Sequence, residues 1–244
     1  MGLSQRQWQD TVTLIEHFSA AEDAYKLRMD CGHALLRLLN ADHFASYIWQ
    51  NDKQQFAEPC QLNLDDSNLG RYKDYFQFHD PITHKMRQCS KAVSVNQIMQ
   101  QQDLEKTEFY QDFLARDGMH YGVNLYVFDE SGENLADFRI WRSKARSNFE
   151  TTDLNMLDII APHFRNSMRR LSKKSGQLLI KQFGLTQREY EVLKLLNGAL
   201  SDQAIAEQLH ISLSTCRTHI RRIYQKLDIH QRAQLISLLT PYQL

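Results

Sequence analysis

The sequence predicts two domains of different fold class, an α+β domain in residues 1–171 and a small all-α domain in residues 179–244. Segments that alternate apolar and polar residues occur before about residue 142, whereas the C-terminal part shows helical periodicity throughout. Charge divides the chain in the same way, with a net charge of −8 over residues 1–164 and +8 over residues 165–244. Such an asymmetry is typical of two parts with different partners.

Five short segments of the first domain have strand character. Turn residues at Asn51–Lys53 and Asp129–Gly132 predict two antiparallel hairpins. Between the strands, helical periodicity covers about residues 4–39, 67–78, 103–116 and 152–171. These elements predict an α/β/α sandwich around an antiparallel sheet of about five strands. The predicted strands are Phe44–Trp49, Phe56–Leu64, Val93–Val95, Tyr121–Phe128 and Leu135–Trp141.

Helix ends and helix faces of the first domain can also be predicted. Pro162 should kink or break the last long helix, because proline removes a backbone donor. The polar, small and basic residues that follow predict an interdomain linker at 172–178. Apolar residues at helical spacing indicate the buried stripe of the first helix, and four neighbouring aromatics are interpreted as core. The stripe is Trp8, Val12, Ile15 and Phe18, and the aromatics are Tyr72, Tyr75, Phe76 and Phe78.

Capping residues define four short helices in the second domain. Thr186 and Glu189 have the spacing of a capping box, and Gly198 should end that helix. Ser201 caps a second helix, and Ser212 caps a third after a very short connection. A last helix ends before Pro241. The close succession of the second and third helices is the helix-turn-helix arrangement.

The third helix, residues 212–227, carries the clearest functional signal. Its apolar stripe consists of Cys216, Ile220, Ile223, Tyr224 and Leu227. Arg217, Thr218, Arg221 and Arg222 lie off that stripe, and guanidinium groups match the O6 and N7 acceptors of guanine. A solvated amphipathic helix is the alternative for this segment alone, but its neighbours favour insertion into a DNA groove.

The segment LTQREYEVLKLL…SDQAIAEQLHISLSTCRTHIRRIYQKL…RAQLI resembles the DNA-binding domain of LuxR-type transcription regulators. The resemblance implies a homodimer on an inverted-repeat operator in double-stranded DNA. Arg217, Thr218 and Arg221 would contact base edges. The last helix, through Ala233, Leu235 and Leu239, would contribute dimer contacts. Phosphates or the turn would be held by Thr186, Ser214, Thr215, His219, Arg222 and Lys226. Cys216, where the family has valine, is interpreted as core.

The first domain resembles the acyl-homoserine-lactone-binding domain of quorum-sensing receptors in element order and in the pair Asp80-Pro81. The resemblance implies a small-molecule site that includes Asp80, with Tyr72, Phe76 and Trp49 as candidate lining. Family aromatics are replaced by Ser67, Arg71 and Val95, although a shift of one residue brings in Tyr72. Three alternatives stay open. Asp80 could cap the next helix, the ligand could be a different molecule or absent, and the domain could be a GAF- or PAS-like sensor.

Other classes are disfavoured by the sequence. The ten histidines and four scattered cysteines form no metal-binding spacing, and no catalytic motif is present, so we expect no enzyme, cofactor or metal. A phosphorylated receiver domain would need a repeated βα pattern, which the hairpins contradict. The N-terminus lacks a secretory signal, and no stretch reaches the roughly 18 apolar residues of a membrane span. We therefore expect a cytoplasmic regulator.

Overall fold

Five strands form the sheet of the N-terminal part, within two residues of their predicted bounds, in the order β2-β1-β5-β4-β3. The computed structural model describes residues 4–51, 53–198 and 200–239, without the side chains of 236 and 237. It contains an N-terminal unit, which extends to Arg169, and a C-terminal unit, which begins at Arg170 and also includes Gln50–Gln54. The strands are β1 (His43–Gln50), β2 (Gln55–Leu62), β3 (Val93–Ser94), β4 (Tyr121–Phe128) and β5 (Asn134–Arg142).

Strands β1 and β5 pair only along part of their length. Ala45 lies opposite Arg139, and beyond this point side-chain oxygens take the place of the backbone acceptors. The N–H of Tyr47 donates to Asp137 Oδ1 at 2.6 Å, and the N–H of Trp49 donates to Asn134 Oδ1 at 2.8 Å. Because buried backbone donors need partners, these two side chains allow the strands to separate. A buried carboxylate is thereby placed inside the sheet.

Helices α1 (Gln5–Ala20), α2 (Ala24–Leu38) and the first part of α8 (Thr151–Phe183) cover one face of the sheet. The ring of Phe164 lies 5.7 Å from Phe18 and 4.5 Å from Phe138, between centroids. The predicted stripe of α1 is wrong in part, since Trp8 and Val12 are 48% and 47% exposed. The buried face instead includes Thr11, whose hydroxyl donates to the Gln7 carbonyl at 2.7 Å. Thr11 can therefore lie on the buried face, because its hydroxyl forms a hydrogen bond within the helix.

Short helical segments cover the other face. Within them, Tyr72 and Phe76 are buried as predicted, whereas Tyr75 and Phe78 are exposed, which corrects their assignment to the core. Residues three or four positions apart share a helix face, so only one of the two pairs can face the sheet. The segments are α3 (Asp66–Arg71), α4 (Gln77–His79), α5 (Thr83–Met86), α6 (Val95–Ile98), α7 (Gln101–Leu104), the π-helical turns Tyr72–Phe76 and Phe109–Phe113, and the 3₁₀ turn Leu114–Asp117.

Helix α8 is longer than predicted. It continues through Pro162 and through residues 172–178, which we expected to be a linker. Buried residues on both sides of Pro162, including Ile160 and Phe164, hold the helix in place despite the lost hydrogen bond. The lysines, glutamine and leucine of 172–178 have good helix propensity. Gly176 fits the close approach of Tyr190, whose hydroxyl would lie 2.4 Å from a Cβ at this position.

The C-terminal unit contains the four short helices that the caps predicted. They are α9 (Gln187–Asn197), α10 (Asp202–Gln208), α11 (Leu213–Leu227) and α12 (Ala233–Leu239). Its core includes Leu193, Ile205, Cys216 and Ile223, which confirms Cys216 as a packed residue. Leu235 and Leu239 are also buried in this core, so the expectation that they contact a second protomer is wrong. In the described part of the chain, no helix combines the length and hydropathy that crossing a membrane requires.

Candidate functional site

Helix α11 is held against the C-terminal core by its apolar face and begins at a well-formed cap. The Ser212 hydroxyl accepts a hydrogen bond from the N–H of Thr215 at 3.1 Å. Cys216, Ile223 and Leu227 are buried on the inner face. Helix α10 precedes it by a tight turn in which the N–H of Ile211 donates to the Ala206 carbonyl at 2.9 Å. The two helices therefore have the fixed mutual position that a helix-turn-helix requires.

The outer face of α11 presents three guanidinium groups to solvent. Arg217, Arg221 and Arg222 are exposed. Arg217 approaches Asp202 at 3.4 Å, but its side chain is 66% exposed, and an ion pair in such surroundings contributes little. Among the described residues, Arg221 and Arg222 form no ion pair. These positive charges are thus available to an anionic partner.

The remaining predicted positions on α11 lie in its first turns. The Ser212 hydroxyl lies 2.8 Å from the hydroxyls of both Ser214 and Thr215, which are exposed. Thr218 is half-buried and donates to the Ser214 carbonyl at 2.9 Å. His219 is also half-buried, and its Nδ1 is buried without a hydrogen-bond partner. A row of small hydroxyls therefore borders the arginines at the start of the helix.

Thr186 and Lys226 take part in a structural network. The N–H of Thr186 donates to Glu189 Oε2 at 2.7 Å, and its hydroxyl accepts from the N–H of Glu189 at 3.2 Å. Lys226 Nζ donates to the same carboxylate at 2.6 Å and to the Gly184 carbonyl at 2.7 Å. Burial raises the pKa of Glu189, but the bonds from Lys226 and Thr186 outweigh it and lower that pKa. The ammonium of Lys226 thus ties α11 to α9.

Two arginines that had no assigned role stabilise the connections between helices. Arg188 donates to the Leu209 carbonyl at 2.7 Å, next to the turn before α11. Arg232 donates to the Leu200 carbonyl at 2.7 Å and to the Leu196 carbonyl. Both satisfy backbone acceptors in or just after the last turns of helices α9 and α10, where carbonyl groups lack partners within the helix. Their role could not be recognised from residue spacing, since each contact joins distant parts of the chain.

The N-terminal unit encloses a second candidate site between the sheet and the short helices. It is a cavity of about 30 Å³, which corresponds to one or two water molecules. Tyr72 and Asp80 line it, whereas Phe76 and Trp49, which the sequence also predicted, do not. The other lining residues are Ala45, Tyr47, Leu64, Thr83, Phe109, Phe113, Met119, Asn124, Arg139 and Trp141. Phe76 packs one layer behind, 5.4 Å from the ring of Phe113.

Asp80 forms a turn with the residues after it. Its Oδ1 accepts hydrogen bonds from the N–H of Ile82 at 2.9 Å and of Thr83 at 3.0 Å. Its Oδ2 accepts from the Thr83 hydroxyl at 2.5 Å. Asp80 therefore closes the turn before the short helix and is not its N-cap, because the helix begins at Thr83 and not at Pro81, with Ile82 at the N-cap position.

Arg139 is the principal charged group of the cavity, and the sequence analysis did not select it. Its side chain is 6% exposed, and its Nε donates to Asp137 Oδ2 at 2.9 Å. A second nitrogen donates to the Tyr72 hydroxyl. The guanidinium carbon lies 4.1 Å from the Phe56 ring centroid and 4.6 Å from that of Tyr47. Aromatic faces and a carboxylate thus hold a charge that would otherwise be very costly to bury.

Two further residues shape the cavity. Asn124, opposite Arg139 in the sheet, donates to the Tyr126 hydroxyl at 2.9 Å, while its Oδ1 is buried without a partner. Gly122 leaves room for the Trp141 indole, since a Cβ there would lie 2.7 Å from that ring. In the segment LADFRIW, Asp137, Arg139 and Trp141 alternate with apolar residues. This alternation predicts a strand, and it also places the three side chains on one face of the sheet.

Comparisons with known proteins identify the C-terminal unit. Residues 184–239 match the family described as "Bacterial regulatory proteins, luxR family". The response regulator protein VraR of Staphylococcus aureus is 30% identical over 131 residues, which are 53% of this chain and 56% of VraR. The chain therefore spans about half the length of the curated relatives it matches. Among the described residues, no group of three or more His, Cys, Asp or Glu is placed to hold a metal ion.

Solved structures share the fold at low identity. SdiA from Escherichia coli is 16% identical with a TM-score of 0.56, and the match covers 97% of this chain and 98% of that one. SdiA in complex with octanoyl-rac-glycerol is 14% identical with a TM-score of 0.57, covering 98% and 96%. A GAF domain of a phosphoenolpyruvate-protein phosphotransferase from Coxiella burnetii is 11% identical with a TM-score of 0.56, covering 69% and 95%.

The predicted fold class and the LuxR-type resemblance are both confirmed by these findings. The antiparallel sheet of the N-terminal unit also differs from the repeated βα units that a receiver domain would need. Residues 184–239 are a helix-turn-helix domain of the luxR family of bacterial regulatory proteins, and the N-terminal unit has a fold shared with SdiA and with GAF domains.

Proposed function

We propose that this protein is a transcription regulator that binds double-stranded DNA through α11 and is controlled by a small molecule bound in the N-terminal unit. The observation that carries the proposal is the exposed row Arg217, Arg221 and Arg222 on a helix whose opposite face is packed in the core. A helix of this kind fits the major groove, where arginine forks recognise guanine and further positive charge contacts phosphates.

Within α11 we assign two kinds of contact. Arg217, Thr218 and Arg221 would contact base edges. Ser214, Thr215, His219 and Arg222 would contact phosphates, together with Thr186 at the start of α9. Lys226 is different, because its ammonium already binds Glu189 and the Gly184 carbonyl. We therefore propose that Lys226 positions α11 and contributes little direct phosphate contact.

The regulator would act as a homodimer in the cytoplasm, where it has access to the chromosome. Two copies of α11 related by two-fold symmetry would contact an inverted repeat whose half-sites lie about one helical turn apart. A ligand would favour the arrangement of the two protomers that fits this spacing. Because Leu235 and Leu239 are buried, the dimer contacts would come from the exposed faces of α12 and α8.

The nature of the signal has two candidates. Likeness to SdiA supports an acyl-homoserine lactone or a related acyl compound, as the complex of SdiA with octanoyl-rac-glycerol illustrates. Likeness to a GAF domain supports a different small molecule, or none. The cavity favours the second candidate, because both oxygens of the Asp80 carboxylate already accept hydrogen bonds from Ile82 and Thr83.

DNA recognition is tested with two matched arginine variants of the full-length protein. An operator is first selected from random DNA, and binding to operator and to unrelated DNA is then measured at several salt concentrations. Arg221→Ala should weaken operator binding by about 1–3 kcal/mol and relax base preference at one position of each half-site. Arg222→Ala should weaken all sequences similarly and lower the salt slope by about 1.

The two variants separate base recognition from charge. If Arg221→Ala weakened every sequence equally, the assignment of Arg221 to a base edge would be wrong. If the wild-type protein selected no sequence from the random pool, the proposed regulator function itself would be contradicted.

A further inference from the structure

We propose that the cavity of the N-terminal unit recognises a small organic acid, whose carboxylate is bound by Arg139. The inference rests on the proposed function of this unit as a small-molecule sensor and specifies the class of ligand.

The floor of the cavity contains a guanidinium group that is paired with a carboxylate of its own strand. Arginine remains protonated in proteins, and Arg139 lines the cavity with its side chain almost fully buried. Its Nε donates to Asp137 Oδ2 on the same strand, and its Nη1 donates to the Tyr72 hydroxyl. Its Nη2 lies 2.8 Å from Asp137 Oδ2 but is buried without a hydrogen-bond partner. That hydroxyl accepts from Arg139, so its own proton can be donated to an acceptor in the cavity. A guanidinium next to a hydroxyl donor is a suitable receptor for a carboxylate.

A second guanidinium increases the positive charge near this floor. Arg87 lies with its guanidinium carbon 3.7 Å from the Trp49 ring centroid and 5.6 Å from that of Phe56, the ring that Arg139 also contacts. The Nε of Arg87 is buried without a hydrogen-bond partner. Burial lowers the pKa of Arg87, and the charge of Arg139 acts in the same direction. A ligand anion would reduce the repulsion between the two groups.

The acidic group of the lining does not cancel this preference. Both oxygens of Asp80 accept hydrogen bonds from Ile82 and Thr83, which disperse its negative charge within the turn. Asp137 is fully buried between β1 and β5, and the N–H of Tyr47 occupies its second oxygen. Arg139 and Tyr72 are therefore among the groups that can still donate into the cavity.

An unsatisfied acceptor indicates what else the ligand carries. Asn124 Oδ1 is buried and has no partner, although Asn124 lines the cavity opposite Arg139. Buried amide oxygens in native proteins are nearly always paired, so a hydroxyl or N–H group of the ligand is expected here. The walls are aromatic, formed by Tyr47, Phe109, Phe113 and Trp141. A hydroxylated aromatic acid combines the three features.

Size also favours a compact ligand. A cavity of about 30 Å³ must expand before any organic molecule enters, and a long acyl chain requires far more space than a single ring.

Two π-helical turns, Tyr72–Phe76 and Phe109–Phe113, supply three of the aromatic lining residues. Such turns are rare and occur frequently at functional sites. We expect these turns to move when the ligand enters.

The test compares acids with neutral molecules of the same shape on the full-length protein. Binding of benzoate, 4-hydroxybenzoate and phenylacetate is measured by titration calorimetry and thermal unfolding, against benzamide, 4-hydroxybenzamide, phenylacetamide and N-hexanoyl-homoserine lactone. We expect at least one acid to bind, with a dissociation constant at least tenfold lower than that of its amide. Arg139→Gln should remove this preference, since glutamine keeps a hydrogen-bond donor but not the charge.

Arg142→Gln is the matched control, because Arg142 is a buried arginine of the same strand whose donors bind the carbonyls of Leu39, Ser147 and Asn148. It should leave the preference for acids intact. If Arg139→Gln does not fold, the comparison of acid and amide on the wild-type protein decides alone. Binding of the lactone but of no acid, or equal binding of acids and amides, would overturn the proposal, as would binding of none of these probes.

DNA binding in the same preparations keeps the two proposals separate. Operator selection without acid binding would support the regulator function and contradict the ligand site, and Arg139 would then have only a structural role. Acid binding without operator selection would contradict the regulator function and retain the ligand site.

Discussion

The two units of this protein differ most in what they bury. Within the described residues, the buried polar side chains of the C-terminal unit reduce to Glu189, whereas the N-terminal unit buries Arg28, Asp137, Arg139 and Arg142 among others. Buried charges are weak contributors to stability unless they are paired and hydrogen-bonded. The C-terminal unit thus has almost all its charged side chains on the surface, where DNA could contact them. The N-terminal unit buries several charged side chains, where a small ligand could contact them.

The largest expected effect comes from removing the buried carboxylate of the N-terminal unit. Asp137→Asn would leave the buried guanidinium of Arg139 without a counter-charge, and we expect a loss of about 3–5 kcal/mol in the free energy of unfolding. Urea unfolding followed by tryptophan fluorescence measures it, because Trp8, Trp49 and Trp141 all lie in the N-terminal unit.

Asp153→Asn is the control for this experiment. Asp153 pairs with Arg142 at 3.1 Å, but Arg142 also donates to three backbone carbonyls, so a smaller loss is expected. A loss for Asp137→Asn no larger than that for Asp153→Asn would contradict the expectation that Arg139 depends on Asp137 more than Arg142 depends on Asp153.

A smaller effect is expected from the buried carboxylate of the C-terminal unit. Glu189→Gln keeps an oxygen for the N–H of Thr186 but loses the charge that binds Lys226, and we expect a loss of about 1–2 kcal/mol. Lys226 can regain water, because its side chain is 33% exposed. Circular dichroism detects this transition, whereas tryptophan fluorescence should not change. A matching shift in fluorescence would show that the two units do not unfold independently.

The smallest effect tests the helical state of residues 172–178. Ser172 is exposed in α8, so Ser172→Ala and Ser172→Gly should differ by about 1 kcal/mol in unfolding free energy, with alanine the more stable. Thermal unfolding followed by circular dichroism measures the difference. Equal stabilities would instead support the flexible linker that the composition of this segment indicates.

Much of the fold follows from the sequence alone, because the relevant interactions are local. The five strands, the capping box of Thr186 and Glu189, and the caps at Ser201 and Ser212 depend on residues a few positions apart. The exposed arginines of α11 follow from helical periodicity in the same way. The sequence therefore determined the fold class, the helix-turn-helix and the polar face of its third helix.

Tertiary structure decided which of the candidate residues meet. Asp137 accepts from Tyr47, 90 positions away, and Arg139 donates to Tyr72, 67 positions away, so no local pattern reveals that the cavity floor is charged. Tertiary packing likewise allows α8 to continue through Pro162, and it leaves Trp8 and Val12 exposed. In each case long-range contacts outweighed local preference, because burial of a whole helix face contributes more free energy than the propensity of single residues.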